Sequence, residues 1–247
     1  MILTSPKKLS ELSNDELKGV QSALNKLGFD CGIVDGLFGP RTLDAWSDFK
    51  ESINQHDPAF LDQIGPASYK QLIDAVDKNK SVPHDFSTKE GTIEAIRFEC
   101  DRQGLTLTTQ KAYVLATVQH ETANTFKPIA EYGKGVGRTY GKPDPITGKT
   151  YFGRGYVQLT WRSNYQKYSQ LLGIDLVNSP DLAMGPNVAL FILVHGFKTG
   201  AFTGKKLTDY VNINNRDFVN ARRCINGLDK ARLIATLANK FLNGKNY

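Results

Sequence analysis

Apolar residues recur at spacings of three and four along most of this chain, in runs cut short by clusters of Gly, Pro and Asp. That rhythm is helical, so the sequence predicts short helices joined by tight turns rather than a sheet. Leu17, Val20, Leu24 and Leu27 mark a first helix over residues 15–27, with Ser13 or Asn14 as its cap and Gly28 past its end. Asp35-Gly36-Leu37-Phe38-Gly39-Pro40 is a dense turn signal, and Leu43, Trp46 and Phe49 line a second helix behind it. Phe38 is expected to tuck into the core. Ile64-Gly65-Pro66 introduces a third helix over residues 69–76. Residues 77–89 are polar, with Pro83, and read as a linker. The chain is thereby divided into residues 1–76 and residues 90–247.

The second part is again helical. Ile93, Ile96 and Cys100 share one face, and Thr108 or Thr109 opens a run with Ala112, Val114, Leu115 and Val118 apolar, ending in His120-Glu121-Thr122. Residues 132–150 carry five glycines and two prolines and exclude a regular helix. Residues 150–160 fit a strand or an extended loop, residues 187–197 a buried helix, and residues 228–242 an amphipathic helix. The expected fold is mainly α, a small three-helix module followed by a larger helical domain with little strand.

Composition narrows the functions. No apolar run approaches the roughly 18 residues of a membrane span. The N-terminal charges follow the apolar residues, so no signal peptide is read. Cys31, Cys100 and Cys224 are far apart and form no CxxC pair, which argues against a disulfide framework or a zinc cluster and fits synthesis in the cytoplasm. Residues 1–80 hold 9 Lys+Arg against 12 Asp+Glu, whereas residues 81–247 hold 22 against 13. A basic second part suggests an anionic partner, nucleic acid or cell wall alike, or is merely a solvated surface. The basic C-terminal helix, with Lys230, Arg232 and Lys240, is an ordinary solvated face or a weak contact for an anionic outer membrane.

Paired carboxyl groups can do general acid–base work on a bond, one protonating the leaving oxygen and the other directing water. After the linker only Glu90, Glu94, Glu99, Glu121 and Glu131 are glutamates, with aspartates as further partners. Glu121 ends an apolar helix, where burial is expected to keep it protonated. A helix continued to Glu131 would leave the two carboxylates about 15 Å apart along its axis, too far for a pair. Pro128 opposes that continuation, and a chain reversal over residues 124–128 would bring Glu131 back. A zinc-protease reading of His120-Glu121 fails because position 124 is Asn. Gly153-Arg154-Gly155 is no phosphate loop, since no Lys-Ser/Thr follows. His195 reads as a core or rim histidine; Tyr151, Tyr156 and Trp161 could stack on a ligand such as a sugar ring or simply be core, with core favoured for Trp161 and Tyr151 left open.

Two resemblances sharpen this. Leu27-Gly28-Phe29, Asp35-Gly36-Leu37-Phe38-Gly39, Thr42, Ala45 and Phe49 closely resemble the peptidoglycan-binding-1 family, a three-helix wall-binding module. Residues 118–122 (VQHET), Glu131, residues 151–165 (YFGRGYVQLTWRSNY) and residues 222–227 (RRCING) resemble family 19 glycoside hydrolases, the chitinase-like group that includes many phage endolysins. That resemblance implies a lysozyme-like catalytic domain with Glu121 as general acid, Glu131 as second carboxylate and Thr160 holding the water. It places His120, Gln158, Asn164 and Asn226 toward substrate; by their own chemistry Tyr151 is a further candidate for substrate contact and Arg154 for bracing the carboxylates. Leu228 stands where the family often has a second Gly. Together they imply a monomeric endolysin acting on peptidoglycan rather than nucleic acid. It would need no metal or cofactor and would stay in the host cytoplasm until a holin releases it to the wall.

Overall fold

The structure is a computed structural model that describes residues 3–55, 57–80 and 84–244. It is mainly helical, 55% helix against 5% strand. The described residues form two compact units, within Met1–Pro83 plus Gln166–Asp175 and within His84–Tyr165 plus Leu176–Tyr247.

The first unit contains α1 (Asn14–Lys26), α2 (Pro40–Ser52) and α3 (Pro66–Lys80), the three helices that the periodicity predicts. Ser13 caps α1, its hydroxyl accepting from the Glu16 N–H while the Glu16 carboxylate accepts from the Ser13 N–H. Two-residue strands, β1 (Lys7–Lys8) and β2 (Gln63–Ile64), pair antiparallel beside them. Leu17, Val20, Leu24, Trp46, Phe49, Ile64 and Leu72 form the core. The Trp46 indole N–H donates to the Gln63 carbonyl, so this buried ring leaves no orphan donor.

The turn between α1 and α2 is pinned from below. Buried Gln21 accepts from the Gly36 N–H at 2.8 Å and donates to the Leu37 carbonyl at 3.1 Å. Gly36 has φ +73 with Asn14 packed against it, so a side chain there would meet both strain and a clash. Phe38 does not tuck in: it is 38% exposed, because the turn's own hydrogen bonds, not an aromatic anchor, fix its shape.

The second unit is built on α4 (Lys89–Arg102), α5 (Thr108–Glu121), α7 (Pro186–Thr199) and α8 (Ala231–Leu242); of α6 (Arg162–Leu172), residues 162–165 belong to this unit and residues 166–172 to the first. Of the stretch expected as a linker, residues up to Lys80 are helical and α4 begins at Lys89, while residues 81–83 lie outside the described residues. α5 is buried on nearly every side and lies along α8. The apolar face of α8 (Ile234, Ala235, Ala238, Phe241) is thus covered by protein. The helix starts at Ala231 rather than Leu228 because Lys230 takes φ +56. Residues 132–150 hold only short 3-10 turns, as their glycines require. Of residues 150–160 only β4 (Arg154–Gly155) is strand, paired antiparallel with β3 (Ile129–Ala130). No described helix is long and apolar enough to cross a membrane.

Candidate active site

α5 ends at Glu121, and the chain then reverses. Ala123, Asn124 and Phe126 all adopt left-handed φ, of 48, 66 and 54. Such backbone is costly for residues with side chains and persists only where neighbours over-determine it. They do so here. The Asn124 N–H reaches back to the Gln119 carbonyl at 2.7 Å, and the buried Thr122 hydroxyl accepts from the Phe126 N–H at 3.0 Å. The Phe126 ring is buried edge-on against Phe241. The reversal expected over residues 124–128 is therefore present, beginning two residues earlier.

Glu121 is not enclosed by apolar groups as expected. Its side chain is 18% exposed, and its Oε1 accepts from Arg222 Nη1 at 2.6 Å. Arg222 is itself 3% exposed, and its Nε donates to the Asp229 carbonyl at 3.0 Å. A helix end leaves the acid partly open to solvent, so a guanidinium, not a hydrophobic pocket, sets its surroundings. Asn226 stands exposed one turn beyond Arg222, its N–H on the Arg222 carbonyl. His120 is half-buried on the last turn of α5.

Glu131 follows directly on β3. Its N–H donates to the Gly153 carbonyl at 2.7 Å, continuing the β3–β4 pairing by one residue. Its carboxylate receives two donors: the Tyr140 hydroxyl on Oε1 at 2.9 Å and the Gly153 N–H on Oε2 at 3.0 Å. Each oxygen keeps a lone pair for a further partner. Burial first, then the Glu131 carboxylate, hold the Tyr140 hydroxyl above its ordinary pKa, so it stays a donor. Gly153 is where side chains converge: a Cβ there would lie 2.7 Å from Gln158 Oε1 and 3.2 Å from Glu131 Cβ. Gln158 Nε2 donates to the Ile129 carbonyl at 3.2 Å, tying the loop to β3. Thr160 is half-buried, and its carbonyl accepts from Asn164 Nδ2 at 2.8 Å.

The candidate residues thus fall into two clusters joined by the reversal, Glu121 with Arg222 and the Asn226 turn, and Glu131 with Gly153, Gln158 and Tyr140. Three expectations fail. Tyr151 is no open sugar platform: it is 3% exposed, and its hydroxyl bonds the Val177 carbonyl and Thr147. Arg154 does not brace the carboxylates. It is buried, donates to Asp181, the Thr150 carbonyl and the Tyr165 hydroxyl, and lies over the Phe152 ring at 3.6 Å. Its Nε and Nη1 donors are taken up in shaping the loop from within. Trp161, expected in the core, is 49% exposed. Sequence reasoning gave no role to Arg222, the first residue of the 222–227 motif, or to Tyr140. Arg222 lies among the small apolar residues Ala221 and Cys224, a hint of burial, whereas nothing in the glycine-rich loop singles out Tyr140. His195 is buried as expected, stacked on Phe191. Among the described residues no group of three or more His, Cys, Asp or Glu is placed to hold a metal ion.

Endochitinase 2 of Gossypium hirsutum is 31% identical over 146 residues, 48% of this chain and 48% of that protein. Inactive chitinase-like protein 1 of Hevea brasiliensis is 44% identical over 57 residues, 22% of this chain and 18% of that protein. The chain thus spans about half or less of the length of these relatives. The crystal structure of chitinase C from Streptomyces griseus HUT6037 superposes with a TM-score of 0.43 at 22% identity, covering 80% of this chain and 91% of that one. Residues 106–215 match the Glyco_hydro_19 family, chitinase class I.

Proposed function

We propose that this protein hydrolyses the β-1,4 links between amino sugars of bacterial peptidoglycan, with the three-helix unit holding it to the wall. One observation carries the reading. Glu121 and Glu131 flank a pinned reversal, and each is held by its own donors, Arg222 for one, Tyr140 and the Gly153 N–H for the other. Since a similar relative is named inactive, these carboxylates and not similarity alone support catalysis. Glu121 gives its proton to the glycosidic oxygen as the C1–O bond breaks. Glu131 takes a proton from the water whose oxygen bonds C1, so the anomeric centre inverts. Thr160 helps hold that water, and His120, Gln158, Asn164 and Asn226 contact the sugars. Tethering to an insoluble polymer raises the effective concentration of the catalytic unit.

The biological setting that fits is lysis of a host by a phage endolysin, made in the cytoplasm and reaching the wall through a lesion opened by a holin. The named endochitinases support a second reading, cleavage of chitin. Both are tested by clearing of purified murein beside digestion of chitin oligomers, with wild type, Glu121→Gln and Glu131→Gln. Loss of about three orders of magnitude in either variant is expected for removal of a general acid or base. Full activity of Glu121→Gln would sink the mechanism. Faster turnover of chitin than murein would favour the second reading, and anhydro-sugar ends would replace hydrolysis by lytic transglycosylation.

A further inference from the structure

We propose that Trp161, braced by Tyr140, is a stacking platform for one pyranose ring of the amino-sugar polymer, set beside Glu131. This rests on the glycosidase reading above. Three observations carry it. First, Trp161 stays 49% exposed, while its aromatic neighbours in the chain are buried, Tyr151 at 3%, Tyr156 at 1% and Tyr165 at 0%. A large ring left half in water gains little for folding.

Second, its backbone is left-handed, at φ +70. A bulky residue there is strained, and Asn would fit better. The strain is enforced: the Trp161 N–H donates to the Tyr151 carbonyl at 3.0 Å, and its carbonyl accepts from the Asn164 N–H at 3.0 Å. Strain that exposed packing does not repay marks a residue kept for another purpose.

Third, the ring is aimed. Tyr140 meets it in a T-shaped contact, centroids 5.4 Å apart at 75°. The same Tyr140 donates its hydroxyl to Glu131 at 2.9 Å. One rigid side chain therefore fixes both the indole and the carboxylate. The ligand chemistry follows from the indole, whose flat apolar face matches the C–H face of a pyranose. Thr160 and Asn164 flank it with polar groups.

The test uses the full chain with Glu121→Gln, which leaves the glycan intact. Binding of the N-acetylglucosamine tetramer and of a peptide-free murein tetrasaccharide is measured by calorimetry. Adding Trp161→Asn should weaken binding at least about tenfold with the melting temperature unchanged or raised, since Asn relieves the strain. Trp161→Tyr should recover affinity to within about threefold. Affinity within twofold of the parent in Trp161→Asn overturns the platform. So does loss of affinity together with a fall of several degrees in melting temperature, which would make Trp161 a structural residue. If the Glu121→Gln parent binds neither glycan, the glycosidase reading falls and the platform with it. If it binds and Trp161→Asn binds equally, only the platform falls.

Discussion

The Arg222–Glu121 pair is asymmetric, and that asymmetry can be measured. Arg222 is 3% exposed and Glu121 18%, so the cation is the more deeply buried partner. Breaking a fully buried pair costs about 3–5 kcal/mol. Replacing Arg222 with Met keeps the stem packing and leaves behind a carboxylate that reaches solvent. The loss is then one charge-assisted hydrogen bond and the bond to the Asp229 carbonyl, together about 2–3 kcal/mol. Glu121→Ala instead strands a guanidinium that cannot lose its proton, and should cost more, about 3–5 kcal/mol.

For a unit of this size 1 kcal/mol moves the melting temperature by about 2–4 °C, so Arg222→Met should lower it by about 4–12 °C. Urea unfolding of both single variants and the double variant closes a cycle whose coupling should be about 1.5–3 kcal/mol. Additivity within about 0.5 kcal/mol would refute the pair as an energetic unit. Glu121→Ala proving less costly than Arg222→Met would refute the argument from burial. On the catalytic side Arg222→Lys keeps the charge but not the fork, and kcat should fall about 10²-fold as the acid loses its aim.

Three further outcomes follow from the same geometry. Tyr140→Phe keeps the ring on Trp161 but removes the donor to Glu131; kcat should fall about tenfold or more with KM nearly unchanged, and equal kcat in wild type and variant would count against it. Gly153→Ala places a methyl against Gln158 and Glu131 without forcing left-handed backbone; murein clearing should drop at least about tenfold for a melting-temperature loss of only a few degrees, because about 1 Å of misplacement is enough. Burial pushes the Cys224 thiol up to about 12 and that of Cys100 higher still. The folded state keeps these protons while the unfolded state releases them above about pH 8.5, so stability is intact below that pH and is lost as pH rises toward the folded values. The slope is about 1.4 kcal/mol per pH unit for each thiol, and urea midpoints at pH 8, 9 and 10 should fall less steeply in a Cys100→Ala/Cys224→Ala variant.

Helical periodicity was sufficient to predict α1, α2, α3, α5 and α7, because their apolar spacing reflects packing that is local in sequence. The family motifs directed attention to the segments that hold Glu121, Glu131 and Gln158. What stayed hidden depends on partners far along the chain or on single torsion angles. Arg222 meets Glu121 across 101 residues, a pairing no window can reveal. The half-open face of Trp161 follows from one left-handed residue, where composition alone favours a buried indole. Tyr151 and Arg154 carry the right chemistry for substrate contact, yet their polar atoms are taken up by the surrounding loop.

The two carboxylates also differ in when they become complete. Glu131 finds Tyr140 nine residues on and Gly153 twenty-two residues on. Glu121 must wait for Arg222, 101 residues later. A chain made from its N-terminus therefore has the partners of Glu131 in hand once residue 153 has emerged, and the partner of Glu121 only after residue 222. A chain cut short before residue 222 would carry a held Glu131 beside an unanchored Glu121, so the two carboxylates come under separate control during synthesis.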